Sequence, residues 1–174
     1  MGLKKVKLLT YDEYVANAQF DPQWKSYDKR WVYHQIAIDI ASTIDVRKKS
    51  EVLEIGAFGN QIVPKSDTMD LMRGGWKIPN FKPTYDYDAR STPWEMIPDK
   101  KYKLLIALRV FHHLAPKQEE VFKESVRVAQ NIIICCPEKE VVGVGISKQK
   151  FYEWYGSEAR LTVDTGEWGI VYLF

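Results

Sequence analysis

A glycine-bearing turn follows directly after the short apolar run 52–55, and it is the sharpest chemical signal in the sequence. Gly56 and Gly59 carry no side chains, so a ligand can approach the backbone of this turn closely. In open parallel sheets, ligands bind outside the carboxyl ends of the strands, which is where such a turn would lie. The glycines alone are equally consistent with a tight turn that binds nothing.

Two aspartates, Asp70 and Asp88, stand at the ends of the next two short strand-like runs. A carboxylate accepts hydrogen bonds, and it therefore suits the hydroxyl groups of a ribose or an amino group. Because the carboxyl ends of parallel strands meet at one edge of a sheet, we expect both aspartates and the glycine turn to face one crevice.

The pair His112-His113 follows the apolar run 104–108. Imidazole titrates near neutral pH, so either ring, with His112 preferred, is a candidate general base for an acceptor hydroxyl. A structural role is the alternative, and two adjacent histidines without a third ligand do not predict a metal site. Arg109, beside the same crevice, is a candidate clamp for a carboxylate or phosphate group, or else a surface or helix-capping residue.

Apolar runs that alternate with helical patterns must position these residues. Strands are predicted at 51–55, 68–71, 85–88, 103–108, 131–136, 160–163 and 169–174. Helices are predicted from Tyr27 onward, at 117–129 and at 147–155. The first of these helices has a core-facing stripe of Val32, Ile36, Ile40 and Ile44. This order predicts an α/β, Rossmann-like, doubly wound and mostly parallel sheet with an antiparallel C-terminal edge hairpin. The gap between the first two strands barely leaves room for the usual crossover helix.

The composition limits the class of protein. With 174 residues, 45% of them hydrophobic, the chain is expected to form one domain over 1–174, with an N-terminal arm at 1–30 and a core at 31–174. A net charge of +2 favours neither nucleic acid nor an anionic membrane. The apolar runs are too short to span a membrane. Cys135 and Cys136 are adjacent in one of them, which is typical of reduced core residues in a cytoplasmic protein.

From about residue 50 to 136, the order and spacing of these motifs resemble the class I S-adenosylmethionine-dependent methyltransferases. The motifs are Val52-Leu53-Glu54-Ile55-Gly56, Met69-Asp70, Asp86-Tyr87-Asp88-Ala89, and the run 104–108 leading into Val110-Phe111-His112-His113-Leu114. Within this family the chain looks like a compact subgroup in which a loop, here 60–66, replaces the first crossover helix.

The resemblance implies a cofactor, S-adenosylmethionine, and a position for each part of it. It assigns Glu54, Gly56 and Gly59 to the methionine side, Asp70 to the ribose hydroxyls, Asp88 and Ala89 to the adenine, and Leu108 and Arg109 to the strand end beneath the sulfonium. The sequence departs from the family at Phe58, where a further glycine is common. We expect the Phe58 ring to turn into the core, since a ring in the crevice would reshape or block the site.

The resemblance implies methyl transfer to an oxygen or nitrogen of a small-molecule acceptor. The arm before Ile36 and the loop 73–83 are expected to hold this acceptor. Some of the aromatic residues Trp76, Tyr85, Tyr87 and Trp94 could form a wall for the adenine or the acceptor, and most of them are expected to be packing residues. One alternative is a non-catalytic methyltransferase-like domain that binds a partner, which Phe58 and the missing crossover favour. The other is a nucleotide-binding oxidoreductase, although the third glycine of a dinucleotide fingerprint is absent.

Overall fold

The computed structural model describes residues 5–20, 26–72, 80–139 and 144–174. Its α-helices are α1 (Tyr11–Ala18), α2 (Tyr27–Thr43), α3 (Gln118–Val128) and α4 (Lys148–Tyr155). Its strands are β1 (Val52–Ile55), β2 (Asp67–Asp70), β3 (Tyr85–Asp86), β4 (Tyr102–Leu108), β5 (Ala129–Cys136), β6 (Leu161–Asp164) and β7 (Ile170–Leu173). Short 3-10 turns lie at Lys49–Glu51, Phe111–His113 and Gly166–Trp168. None of the described helices is long and apolar enough to cross a membrane.

All seven strands form one sheet in the order β3-β2-β1-β4-β5-β7-β6. The first five strands pair in parallel, whereas β7 is antiparallel to both β5 and β6. The predicted fold class, a doubly wound and mostly parallel sheet with an antiparallel C-terminal hairpin, is therefore confirmed. The strand order reverses between β1 and β4, and the carboxyl ends of such neighbouring strands form the usual ligand crevice of this architecture.

Helices cover both faces of the sheet because the central strands are apolar on both faces. Leu105 and Ala107 of β4 point to the face that packs against α3 and α4, while Leu104 and Ile106 point to the face beneath α2. Cys135 and Cys136 at the end of β5 are buried free thiols, one on each face. Both cysteines are thus core residues, as predicted.

Helix α2 packs through a broader face than the predicted stripe. Its buried residues are Tyr33, His34, Ala37, Ile40 and Ala41, whereas Val32 is 39% exposed. A strict four-residue repeat advances by about 40° per step around a helix, so it cannot follow one face for four turns. The two alanines allow close approach to the sheet. The predicted stripe is confirmed for Ile40, which is buried, and for Ile36 and Ile44, which pack against the core, but not for Val32.

The connection between β1 and β2 contains no helix, because residues 56–66 form turns and irregular backbone. The predicted replacement of the first crossover helix by a loop is confirmed. The N-terminal segment packs beside this loop, where the Leu9 N–H donates to the Ile62 carbonyl at 2.9 Å. Helix α1 begins there with a capping box between Thr10 and Glu13, which satisfies the first free N–H groups of the helix.

Candidate functional site

The carboxyl ends of β1, β2 and β4 converge on the turn at Gly56. The Gly56 N–H donates to the Met69 carbonyl of β2 at 3.1 Å, and the glycine has a left-handed φ of 71°. A Cβ at this position would lie 2.7 Å from Cγ2 of Val110, which follows β4. Only a glycine therefore lets the turn after β1 close against the segment after β4.

Replacement of Gly56 by alanine is expected to destabilise the protein by about 2 to 4 kcal/mol, because it adds a steric clash with Val110 to the cost of a left-handed alanine. Urea denaturation measures this loss. Gly156→Ala is the matched control, since Gly156 has a φ of 82° but nothing lies within 4 Å of the place that its Cβ would take. It should cost only about 1 kcal/mol. Equal losses in the two variants would contradict the close approach of Gly56 and Val110.

Asp70, at the end of β2, has a buried carboxyl group, and one of its two oxygens has no hydrogen-bond partner among the described residues. Its side chain is almost fully buried, and Oδ1 accepts from the Phe58 N–H at 3.3 Å. Oδ2 is also buried, but it has no hydrogen-bond partner among the described residues. Burial raises the pKa of Asp70 to about 7, against the smaller effect of the Phe58 hydrogen bond. Such an oxygen is costly unless a ligand donates to it.

Phe58 adopts a left-handed backbone conformation with φ of 47°, which is unusual for a residue other than glycine. Its ring is half-buried and belongs to neither apolar cluster of the core. The orientation of its ring therefore stays a prediction. The backbone conformation of the turn directs the Phe58 N–H to Asp70.

Glu54 lies beneath the turn and holds the loop that replaces the crossover helix. Its carboxylate accepts from the N–H groups of Ile62 and Val63, both at 2.8 Å, and from the Ser66 hydroxyl at 2.9 Å. Burial raises the pKa of Glu54 to about 7, although these three hydrogen bonds oppose the rise. Both oxygens of Glu54 are therefore engaged in holding the loop in position.

The two predicted adenine residues lie in the turn after β3. Asp88 forms an ion pair with Arg90, with Nη2 2.7 Å from Oδ2, and it also accepts from the Arg90 N–H at 2.9 Å. Ala89 is buried, and its carbonyl accepts from the indole Nε1 of Trp94 at 2.9 Å. Trp94 is consequently a core residue that supports this turn.

Trp94 and Tyr85 are packing residues, which is what was expected for most of the four candidate aromatic residues. The Tyr85 hydroxyl contacts the hydroxyl of Tyr102 at 3.0 Å, at the amino end of β4, which is the opposite edge of the sheet from the crevice. Tyr87 is half-buried and donates to the Ser91 carbonyl. Trp76 and most of the predicted acceptor loop lie outside the described residues.

Leu108 ends β4, and Arg109 follows it with a left-handed φ of 58°. The Arg109 N–H donates to the Cys135 carbonyl at 2.9 Å, and Nη1 donates to the Trp168 carbonyl at 3.0 Å. This geometry directs the guanidinium toward the turn between β6 and β7. Arg109 thus lies on the β5–β7 side of β4, away from β1 and β2.

The two histidines form a 3-10 turn after β4, with ring centroids 3.8 Å apart. His112 is buried and His113 is exposed. Burial, together with the positive charges of His113 and Arg109, lowers the pKa of His112 to about 3, so its ring is neutral at physiological pH. Within the described part of the chain, no three His, Cys, Asp or Glu side chains are grouped as metal ligands would be.

Sequence reasoning missed three residues that lie around Arg109. These are Arg30 and Tyr33 of α2, and Trp168 in the turn between β6 and β7. The Arg30 guanidinium lies over the Trp168 ring, 5.0 Å from its centroid, and the Tyr33 ring is 6.2 Å from the same ring. No local pattern predicts this group, because its members are distant in sequence and meet only when the sheet is complete.

Three solved structures of methyltransferases have a similar architecture. Magnesium protoporphyrin IX methyltransferase from Synechocystis PCC 6803, with bound SAM, matches at a TM-score of 0.54 and 12% identity, over 94% of this chain and 89% of that one. The trans-methyltransferase CalH, in complex with SAH, matches at a TM-score of 0.58 and 14% identity, over 86% of this chain and 59% of that one. A SAM-dependent methyltransferase from Aquifex aeolicus matches at a TM-score of 0.50 and 13% identity, over 78% of this chain and 86% of that one.

The chain has the class I methyltransferase fold. The resemblance predicted from the sequence is therefore confirmed at the level of the fold. No family model matches the sequence, and no curated protein sequence matches it. At 12 to 14% identity, these structural matches establish the methyltransferase architecture, and the chemistry of this chain rests on its own residues.

Proposed function

We propose that this protein is an S-adenosylmethionine-dependent methyltransferase that acts on an oxygen or nitrogen of a small-molecule acceptor. The observation that carries the proposal is the buried Oδ2 of Asp70, which has no partner among the described residues and lies at the end of β2 in a methyltransferase fold. A pair of ribose hydroxyls supplies the donors that this oxygen needs. Two of the matching structures hold SAM or SAH, which supports the same cofactor here.

In this proposal each group of residues in the crevice lies next to a different part of the cofactor. Asp70 accepts from the ribose, the backbone of the turn at Gly56 and Gly59 contacts the methionine portion, and Glu54 positions that turn from below. Asp88 and Ala89 flank the adenine. Leu108 and Arg109 then border the reacting centre.

When bound in this crevice, S-adenosylmethionine would supply an electrophilic methyl group for transfer to the acceptor, with S-adenosylhomocysteine as the leaving product and a proton released from the acceptor. The protein contributes mainly by aligning the two molecules, since most of the rate enhancement of such a displacement can come from orientation. His112, with a pKa of about 3, takes up a proton poorly at neutral pH. We therefore assign the proton-accepting role to the exposed ring of His113 rather than to the initially preferred His112.

Calorimetric titration with S-adenosylmethionine, S-adenosylhomocysteine and NAD tests the proposal. We expect one binding site for the first two ligands, with dissociation constants of about 1 to 100 μM, and no heat of binding with NAD. Selective binding of NAD would instead support a nucleotide-binding oxidoreductase.

The second candidate is a non-catalytic domain that uses this fold to bind a partner. The observation in its favour is Phe58, a half-buried residue in the turn after β1, at a position where a glycine is common in the family. If millimolar S-adenosylhomocysteine produces no heat of binding with correctly folded protein, this candidate replaces the methyltransferase proposal.

A further inference from the structure

Two arginines meet the same tryptophan at the β5–β7 side of the crevice. The guanidinium carbon of Arg30, in the first turn of α2, lies 5.0 Å from the centroid of the Trp168 ring. That of Arg109, directly after β4, lies 5.9 Å from the same centroid. Both distances are typical of cation–π contacts, which hold an arginine in a defined orientation.

The group lies at an intermediate depth, so its guanidinium groups are partly desolvated. Arg30, Arg109 and Trp168 are all half-buried. Behind them lies the buried phenol of Tyr33, whose pKa burial raises to about 12, while the nearby positive charges of Arg30 and Arg109 oppose the rise. Both guanidinium groups therefore act on one small region, although they come from different layers of the fold.

The backbone of Arg109 supports a functional reason for its position. Its φ of 58° is a left-handed conformation, which a side chain larger than glycine adopts at a cost. The hydrogen bonds of Arg109 to the carbonyls of Cys135 and Trp168 hold the residue in place. Such strain persists where the surroundings fix it, and it is concentrated at functional sites.

We propose that Arg30 and Arg109, together with the Trp168 ring, bind an anionic carboxylate or phosphate group of the acceptor; this inference rests on the proposed methyl transfer. A guanidinium presents planar, paired N–H donors that match the oxygens of both groups. The Trp168 indole offers an apolar surface beside them for the body of an acceptor.

The sheet order places this anion site two strands away from the candidate cofactor site, which leaves room for the reacting atoms between them. Asp70 ends β2, and β4 is the second strand along from it in the order β2-β1-β4. Neighbouring strands are about 4.8 Å apart, so the end of β4 lies about 10 Å from the end of β2. The reacting atoms would meet between these two positions, with the donor held on one side and the acceptor's anion on the other.

The experiment titrates the complex of the full chain with S-adenosylhomocysteine, using benzoate, inorganic phosphate and neutral benzamide at constant ionic strength. The readout is the indole N–H resonance of Trp168 in ¹H–¹⁵N spectra, which is assigned by its loss in Trp168→Phe. We expect a saturable shift with benzoate or phosphate and none with benzamide. The anion that binds more tightly identifies the acceptor group as a carboxylate or a phosphate.

Arg30→Gln and Arg109→Gln should each weaken binding of that anion by about tenfold or more, because each removes charge-assisted hydrogen bonds. Arg47→Gln is the matched control and should change nothing, since Arg47 is exposed and pairs with Asp45 near the amino end of β1. Arg30 lies in a helix, so its variant remains informative if the strained position of Arg109 does not tolerate replacement. An equal shift with benzamide, no saturable shift with either anion, or unchanged affinity in the folded arginine variants would overturn the proposal.

The same titration is repeated without S-adenosylhomocysteine in order to separate this inference from the proposed function. If the cofactor product binds but neither anion shifts the Trp168 resonance, the anion site is rejected and the methyltransferase proposal stands. If the anions bind with the expected dependence on Arg30 and Arg109 but the cofactor product does not, an anion site remains and methyl transfer is rejected.

Discussion

Replacing Asp70 by alanine is expected to weaken binding of S-adenosylhomocysteine by roughly tenfold to a hundredfold, which corresponds to about 1 to 3 kcal/mol. The loss follows from the buried carboxylate at the end of β2, which would no longer accept hydrogen bonds from the ribose hydroxyls. Calorimetry at pH 8 measures it, with the Asp70 carboxyl group of the wild-type protein ionised. Asp164→Ala is the control, because Asp164 also ends a strand but belongs to the antiparallel hairpin. Unchanged affinity in folded Asp70→Ala would remove Asp70 from the site.

Replacement of Asp70 should weaken ligand binding but should increase the stability of the ligand-free protein. Burial raises the pKa of Asp70 from the ordinary 3.8 to about 7, so the folded state disfavours the charged form. This cost is absent at pH values below 3.8, grows as the pH rises, and is complete above pH 7. Asp70→Asn should therefore unfold at higher denaturant concentration than the wild type at pH 8, and the difference should shrink toward pH 4. A variant that gains stability while it loses affinity would identify Asp70 as a residue retained for binding.

The second large effect is expected at Glu54, whose replacement by alanine should reduce the free energy of unfolding by about 3 to 5 kcal/mol. The change removes the acceptor for two buried backbone N–H groups and for the Ser66 hydroxyl, and it leaves a cavity beneath the loop 56–66. Glu54→Gln should also destabilise the protein, because an amide nitrogen cannot accept from an N–H group. Guanidinium denaturation compares the variants with the wild type.

Glu51→Ala provides the matched comparison for Glu54. Glu51 also accepts from two backbone N–H groups, those of Arg47 and Lys48, but its side chain is 23% exposed. Water can replace the lost hydrogen bonds at such a site, so we expect a loss of about 1 kcal/mol. If Glu54→Ala were no more destabilising than Glu51→Ala, the loop would not depend on the buried carboxylate.

The strands and the edge of the sheet that carries the site were predictable because their signals are local. The runs in β4 and β5 are apolar on both faces, which indicates central parallel strands. Asp70 and Gly56 stand at strand ends in the sequence itself, so the topology alone brings them together. The gap between β1 and β2 barely left room for a crossover helix, and the structure has no helix there.

The features that sequence reasoning missed depend on contacts between distant segments. Trp94 looked like a loop residue, yet its indole N–H reaches the Ala89 carbonyl and its ring is buried in the core. The packed face of α2 depends on which residues fit against the finished sheet, and a repeat of four specified it only in part. The grouping of Arg30 with Trp168 requires the C-terminal hairpin to lie beside α2, which no local pattern encodes.

The loop 56–66 also affects the electrostatic field of the crevice. A crossover helix after β1 would direct the positive end of its dipole, and several free N–H groups, toward the ligand, which is how many nucleotide-binding folds hold a diphosphate. Here no helix begins at that point, and the buried carboxyl group of Glu54 lies beneath the turn instead. The β1–β2 half of the crevice is therefore suited to a ligand that is neutral or cationic there, and it should discriminate against dinucleotides and nucleoside triphosphates.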